Sequence, residues 1–314
     1  MSSGPDRTLD ALNRVLGSIQ AVRNGPALFV LLASFSVAGL LLAMAESALA
    51  RDGGLLAAVE AGLALTVAFY GGNAAGLLVM DDALGRPRRE VGEAVRDALG
   101  SAHRLLMVLL LGGSAGLVVF ALLGLLLWLC RLPGLGPWLF ALVVPLGVVV
   151  AGVTLLAAAA LLAPLAAPAV WRGLGVREVL AFLRRQLRQR LVFAALLSAA
   201  VSGVAAAVGA LVTAAVVAGG RAVAAMAVLI VQVDLPPQQL MAGLFGHGLR
   251  ALGAAGAPAA QTPHGQAALV GGGVVFALAL VLPGVVSLRG MCAAYLALEE
   301  ADRAPRGPRS ALSR

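Results

Sequence analysis

Long apolar segments alternate with short polar segments along the whole chain. The apolar segments are rich in Leu, Val, Ala and Gly, and a helix needs about 20 such residues to cross the hydrocarbon core of a membrane. Six segments reach that length. The pattern therefore predicts an all-α, polytopic membrane protein with transmembrane helices at 27–49, 55–80, 105–130, 138–168, 191–218 and 267–295.

A seventh apolar stretch, 222–233, is shorter and ends at Asp234, Pro236 and Pro237. Because proline disfavours helix at the preceding residue and cannot donate a helical hydrogen bond, any helix here stops near Leu235. The stretch is too short to cross the membrane. We expect it to lie on the membrane surface or to enter the membrane partway.

The basic residues predict the orientation of the six spans. All 23 are arginines, a usage typical of GC-rich bacterial coding, and all but four fall on one side if the N-terminus is cytoplasmic. Membrane proteins keep most of their short basic loops in the cytoplasm. The pattern predicts a bacterial inner-membrane protein with both termini in the cytoplasm. The four exceptions are Arg51, Arg131, Arg221 and Arg250.

Polar segments with helical periodicity precede the first, third and fifth spans. Each has an apolar face opposite an arginine-bearing face, a pattern typical of a helix that lies in the plane of the membrane interface. The apolar faces are Leu9, Leu12, Leu16 and Ile19; Val91, Val95, Leu99 and Ala102; and Val176, Leu180, Leu183 and Leu187. The predicted lipid-headgroup contacts are Arg89, Arg96, Arg177, Arg184, Arg185 and Arg188.

These segments divide the chain into three repeats, each an interfacial helix followed by a transmembrane hairpin. Arg89-Glu90-Val91 and Arg177-Glu178-Val179 match at one offset. The predicted integral membrane domain is 1–302, with repeats at about 7–80, 85–170 and 172–300, a periplasmic insertion at about 220–265, and an Arg/Pro-rich cytoplasmic tail at 303–314.

Composition supports the membrane interpretation and limits the partners. Hydrophobic residues make up 61% of the chain and charged residues 12%, with a mean hydropathy of +0.96, well outside the range of ordinary soluble domains. The net charge of +8 is compatible with nucleic-acid binding, but the arginines flank spans and aromatic residues are only 4%. Anionic lipids are the expected partner, and nucleic acid is not.

A family resemblance follows from two hydrophobic stretches. Ala163-Pro164-Leu165-Ala166-Ala167-Pro168-Ala169-Val170-Trp171-Arg172-Gly173 leads into the third amphipathic helix, and Ala294-Tyr295-Leu296-Ala297-Leu298-Glu299-Glu300 ends the last span. With the repeated hairpins, they resemble the membrane domain of glycerophosphodiester phosphodiesterases and related bacterial inner-membrane proteins. The soluble phosphodiesterase domain with its metal-binding carboxylates has no counterpart here. The resemblance therefore implies a membrane scaffold without that activity.

Three polar residues in the first hairpin are candidates for an intramembrane site. Glu46 and Glu60 flank the Arg51-Asp52-Gly53-Gly54 turn at equal distance, so they form either a shared proton or cation site or a hydrated pair beside Arg51. Asn73 lies between Gly72 and Gly76, a spacing that favours helix packing over substrate contact. The same spacing recurs at Gly112 and Gly116.

The insertion contains a second polar group, Gln232, Asp234 and His247. Such an interrupted segment either lines a cavity or forms a surface loop. The histidines lack metal-ligand spacing, and the sequence contains no phosphate-binding loop or hydrolase motif. We therefore expect no metal, cofactor or catalytic residue.

These observations favour a non-enzymatic multi-pass membrane protein, a scaffold or assembly partner whose arginine-rich helices contact the cytoplasmic leaflet. Another membrane protein or a second copy of the chain is an expected protein partner. The alternative is a transporter or permease for a hydrophobic or lipidic substrate. Threefold organisation, Glu46, Glu60 and the interrupted insertion fit that alternative, whereas inverted repeats are absent from the pattern.

Overall fold

The computed structural model describes residues 4–49, 51–87, 89–132, 136–226 and 263–303. Within these ranges the chain is helical apart from short turns. Eight helices follow one another there: α1 Gly4–Leu16, α2 Gly25–Leu49, α3 Gly54–Ala83, α4 Val91–Leu129, α5 Gly136–Ala157 with its continuation to Trp171, α6 Val176–Gln189, α7 Leu191–Met226 and α8 Pro263–Arg303.

Six of these helices are long and apolar enough to cross a membrane, which confirms the six predicted apolar helices. They are α2, α3, α4, α5, α7 and α8. The predicted interfacial segments differ in how each is connected to the span that follows it. The 3₁₀ helix Gly17–Arg23 separates α1 from α2, and the non-helical Arg190 separates α6 from α7.

The second predicted interfacial segment is not a separate helix, so the sequence prediction is wrong at this point. α4 runs without a break from Val91 to Leu129, 39 residues or about 58 Å. The hydrocarbon core is about 30 Å thick, so α4 is longer than a helix needs to be to cross it. No proline interrupts this segment, so nothing forces the chain to leave the helix before the apolar span begins.

The residues form two compact units by their contacts. One contains residues up to 18, 100–202 and from 289 onward, and the other contains 19–99 and 203–288. α4, α7 and α8 each contribute residues to both units. The division therefore cuts across the three repeats predicted from sequence.

One glycine in each hairpin lies where an added Cβ would come into close contact with a side chain of the neighbouring helix. A Cβ placed on Gly71 of α3 would collide with the Ser34 side chain of α2. A Cβ on Gly112 of α4 would lie 2.7 Å from Leu162, and one on Gly290 of α8 would lie 2.8 Å from Val201 of α7. Small residues at such contacts let helix backbones approach, which is how helices pack inside lipid.

A serine on α7 compensates for a proline in α5. Pro164 has no N–H to donate to the carbonyl of Ala160, and a π-helical turn, Ala158–Leu162, lies just before it. The buried Ser198 hydroxyl donates to that Ala160 carbonyl at 2.8 Å. The bond ties α7 to α5 where the helical hydrogen bonding of α5 is irregular.

Burial is concentrated at one end of the second helix of each hairpin. Residues 73–81 of α3 are all buried, as are most of residues 164–171 in α5 and 290–298 in α8. By contrast, side chains in the middle of the α4–α5 hairpin are exposed: Leu117 is 70% exposed and Val148 is 67% exposed. Apolar surface of this extent requires a surrounding of lipid or protein.

The glycine contacts yield the first prediction. Gly71→Ala should lower the free energy of unfolding by about 1–3 kcal/mol, because the new methyl group overlaps Ser34 and forces the helices apart. Gly72→Ala is the matched control, since space is open around Gly72. It should be neutral or stabilise by up to about 1 kcal/mol through helix propensity. Thermal unfolding of the detergent-solubilised protein measures both, and equal effects would contradict the predicted close contact.

Candidate functional site

The two glutamates of the first hairpin lie in different environments. Glu46 is exposed on α2, whereas Glu60 on α3 is only 9% exposed. The Oε2 atom of Glu60 is buried without a hydrogen-bond partner in the described residues. Arg51 donates instead to the hydroxyl and the carbonyl of Ser47, at 2.5 and 3.2 Å. The structure thus shows neither a Glu46–Glu60 hydrogen bond nor an ion pair to Arg51 among the residues that it describes.

Asn73 is buried in the segment of α3 that is enclosed on all sides. Its side-chain amide donates to the Phe69 carbonyl one turn earlier, at 2.8 Å. That bond stays within α3. Of the glycines around Asn73, Gly72 has open space beside it, and the close helix contact is made by the adjacent Gly71.

The C-terminal end of α8 is held by a group of arginine–carboxylate contacts, which we call the α8-end cluster: Glu299, Glu300 and Asp302 with their basic partners. Asp302 is the most enclosed member, with its side chain 12% exposed. It accepts a hydrogen bond from Gln186 at 2.8 Å and ion-pairs with Arg185 and Arg190 at 3.4 and 3.6 Å. Arg190 also donates to the Ala301 carbonyl at 2.7 Å. α6 and the residue after it are thereby fastened to the end of α8.

Two further acids of the cluster bind other parts of the chain. Glu300 accepts both hydrogen bonds of a bidentate pair from Arg14 of α1, each at 2.8 Å. The hydrogen bond to Glu300 raises the pKa of Arg14, which stays charged. Glu299 pairs with Arg303 at 2.6 Å and lies 3.8 Å from Arg172 Nε. That last distance allows an ionic contact but no hydrogen bond, and Arg172 Nε has no hydrogen-bond partner within the described residues.

A second ion-pair group closes the turn between α3 and α4. Arg89 donates two hydrogen bonds to the buried Asp81, from Nε and from a terminal nitrogen, and a third to Asp97 at 2.7 Å. The hydrogen bond to Asp81 raises the pKa of Arg89. Gly85 supplies the positive φ of +64° that this turn requires. The sequence predicts a lipid-headgroup contact for Arg89. In the structure its guanidinium binds the carboxylates of Asp81 and Asp97.

Two of the three amphipathic segments, α1 and the start of α4, leave their largest apolar side chains exposed. In α1, Ala11 and Val15 are buried, whereas Leu9 and Leu16 are more than half exposed. The start of α4 repeats the arrangement. There the buried residues are Ala94, Ala98 and Ala102, and the exposed ones are Val95 and Leu99. The large members of the two predicted apolar faces therefore point outward, whereas Ala102, predicted on the second face, is buried.

α6 is attached through one face and presents arginines on another. Val179, Phe182 and Gln186 are buried, and the Phe182 ring lies 5.2 Å from that of Tyr295. Among the predicted lipid contacts, Arg185 pairs with Asp302. The remaining arginines are exposed and have no ion pair within the residues that the structure describes: Arg177, Arg184 and Arg188 on α6, and Arg96 on α4.

The α8-end cluster was missed by the sequence interpretation, although a signal existed. Acidic residues number only 15 in the chain, and three of them lie at 299–302. Three acids so close together at the end of an apolar helix have few ways to be stable without basic partners. The arginines of the amphipathic helices were the nearest available partners on the same predicted side.

The other predicted polar group, Gln232, Asp234 and His247, lies outside the described residues, as does the tail beyond 303. Within the described ranges, no three His, Cys, Asp or Glu side chains come close enough to hold a metal ion. Comparison of the chain with protein-family models, curated proteins and solved structures gives no match. Any role must therefore be argued from this geometry.

The α8-end cluster yields a stability prediction. Asp302→Asn keeps the shape of the side chain but removes the charge that holds two arginines, so it should cost about 1–3 kcal/mol of unfolding free energy. Glu300→Gln is the matched control in the same cluster. Its pair with Arg14 is about half exposed on both sides and should contribute only about 0–1 kcal/mol. Thermal unfolding in detergent compares the two variants, and a larger loss for Glu300→Gln would contradict this ranking.

Proposed function

We propose that this protein is a non-enzymatic scaffold or assembly partner of the bacterial inner membrane that binds anionic lipid at its cytoplasmic leaflet. Both termini are cytoplasmic in this proposal, and a second copy or another membrane protein is the protein partner. Six apolar helices support the membrane location. The likeness of residues 163–173 and 294–300 to the membrane domain of glycerophosphodiester phosphodiesterases fits a scaffold without catalysis.

The observation that carries the proposal is the direction of the leucine faces. A water-exposed amphipathic helix would turn its large apolar side chains inward, but α1 packs through Ala11 and Val15, the start of α4 packs through alanines, and Leu9, Leu16 and Leu99 are exposed. Exposed leucine beside exposed arginine suits the boundary between acyl chains and headgroups. In this proposal α1 and the N-terminal part of α4, which continues directly into its span, place these leucines at the boundary between headgroups and acyl chains.

The α6 arginines that have no ion pair within the described ranges supply the attraction for anionic headgroups. A guanidinium near a negatively charged membrane surface contributes about 1 kcal/mol, and it also forms bidentate bonds to phosphate. Among the described residues Arg177, Arg184 and Arg188 have no ion pair, whereas Arg185 and Arg190 are engaged with Asp302. The same helix thus divides its basic residues between internal attachment and lipid binding.

The transporter alternative retains one favourable observation. Glu60 is a buried carboxyl inside an apolar span, and such residues mark ion or proton pathways in many membrane proteins. Glu46 does not join it in a two-carboxylate site, because Glu46 is exposed. A single buried carboxyl does not by itself form a transport pathway across the membrane.

Lipid binding tests the scaffold proposal. The double variant Arg177→Gln/Arg184→Gln should bind phosphatidylglycerol roughly thirtyfold more weakly, because it loses two attractions of about 1 kcal/mol each. The matched control is Arg131→Gln/Arg221→Gln, which removes two exposed arginines from the predicted periplasmic side. Native mass spectrometry of the solubilised protein, titrated with phosphatidylglycerol or phosphatidylcholine, measures the change.

Two results would contradict the proposal. One is an equal loss of phosphatidylglycerol binding in both double variants, because binding would then depend on the net charge of the protein and not on the position of the arginines on α6. The other is equal binding of phosphatidylcholine and phosphatidylglycerol by the unaltered protein. The preference should also weaken as salt is raised, since exposed charges are screened over about 10 Å at 0.1 M salt.

A further inference from the structure

Three arginines form a row along one side of α6. Arg177, Arg184 and Arg188 are separated by seven and by four residues, so they lie within about 40° of one another around the helix axis. All three are exposed, and none has an ion pair within the residues that the structure describes. We call these three residues the α6 arginine row.

The other side of α6 fixes the direction in which the row points. Val179, Phe182 and Gln186 are buried and lie at least about 120° around the axis from each arginine of the row. The Phe182 ring packs on Tyr295, and the Gln186 side chain donates to Asp302 at 2.8 Å. The row is therefore held on a helix that packing and a hydrogen bond attach to the end of α8.

No carboxylate of α6 neutralises the row. Glu178 is the one acidic residue in the sequence of α6, and its Oε2 atom accepts a hydrogen bond from the Gly175 N–H at 2.7 Å. The sequence of α7 contains no acidic residue. Asp302 of α8 pairs with Arg185 and Arg190, which are not members of the row. These contacts leave the row available to an anion from outside the chain.

The two intervals within the row differ. Arg184 and Arg188 are about 6 Å apart along the helix axis, whereas Arg177 and Arg184 are about 10.5 Å apart. Side chains one turn apart are neighbours on a helix surface, and each guanidinium can bind a phosphate through two parallel hydrogen bonds. Arg184 and Arg188 can therefore bind two phosphates that are held close together.

Apolar surface begins beside this pair of arginines. Leu187, between them, is 38% exposed, and the apolar helix α7 begins at Leu191. Val192, the second residue of α7, is 82% exposed. An anion with acyl chains could contact this surface while its headgroup binds the arginines, which favours a lipid over a free phosphate compound.

We propose that Arg184 and Arg188 together bind one lipid that carries two phosphate groups, of the diphosphatidylglycerol class. The inference rests on the lipid binding proposed above and names the class of lipid. One glycerol joins the two phosphates of such a lipid and keeps them close together. When one phosphate is bound, the second is already at high local concentration, whereas two single-phosphate lipids must each be immobilised separately.

Lipid titration followed by native mass spectrometry tests the proposal. The solubilised protein is titrated with diphosphatidylglycerol or phosphatidylglycerol, and the dissociation constants are expressed per phosphate group. The unaltered protein should bind diphosphatidylglycerol at least about tenfold more tightly than phosphatidylglycerol. Arg188→Gln should reduce this ratio to less than about threefold, because the arginines that remain are about two turns apart.

Arg177→Gln is the matched control. It removes the same charge from the same row but leaves Arg184 and Arg188 in place. It should weaken the binding of both lipids by about fivefold and leave the ratio between them unchanged. Both variants replace exposed side chains, so their thermal unfolding should match that of the unaltered protein.

Three results would overturn the proposal. The first is an equal affinity of the unaltered protein for the two lipids. The second is a preference that Arg188→Gln leaves unchanged, which would attribute it to the four acyl chains of diphosphatidylglycerol. The third is an equal loss of the preference in both variants, which would attribute it to net charge.

Failure of the proposed function gives a different result. In that case the unaltered protein would not distinguish phosphatidylglycerol from phosphatidylcholine. If it does distinguish them and one of the three results above is found, lipid binding by α6 stands and the paired phosphate site is wrong.

Discussion

The apolar exterior of the long helices is the constraint on which the rest of the structure depends. In the α4–α5 hairpin, large side chains such as Leu117, Val148 and Trp138 are exposed over most of the surface. Water would destabilise such an arrangement by an amount that the internal contacts of the hairpin could not offset. Hydrocarbon removes that cost, and it also removes hydrophobic attraction between helices, so other interactions must hold the helices together.

Two kinds of contact hold the helices together. Inside the apolar spans, glycines such as Gly71 and Gly290 permit close approach, and dispersion contacts between the backbones follow. At the helix ends, where charge is tolerated, carboxylates and arginines form the pairs of the α8-end cluster and of Asp81 with Arg89. Charge is thus concentrated at the margins of the apolar spans.

Sequence alone predicted the features that depend on local pattern. The six apolar helices follow from segment length, and the amphipathic segments follow from helical periodicity. What could not be predicted depends on which side of each helix faces a neighbour. Periodicity assigned Leu9, Leu16 and Leu99 to apolar faces, but only packing showed that Ala11, Val15 and the alanines of α4 face inward and these leucines outward. Glu46 and Glu60 appeared equivalent by spacing, yet rotation about the helix axes exposes one and buries the other.

The most direct test of the account is the environment of three neighbouring positions on α4. In a background with Cys130→Ser and Cys292→Ala, a nitroxide label is placed at position 96, 98 or 99 and the protein is reconstituted into vesicles. Leu99 is exposed, Ala98 is buried and Arg96 is exposed on the polar face. If the leucine side of α4 contacts lipid, the label at 99 collides mainly with oxygen dissolved in lipid and the label at 96 with a water-soluble nickel complex. The label at 98 should collide with neither. Preferential access of the nickel complex to position 99 would show that the leucine face meets water, and it would contradict the proposal that these segments rest in the membrane.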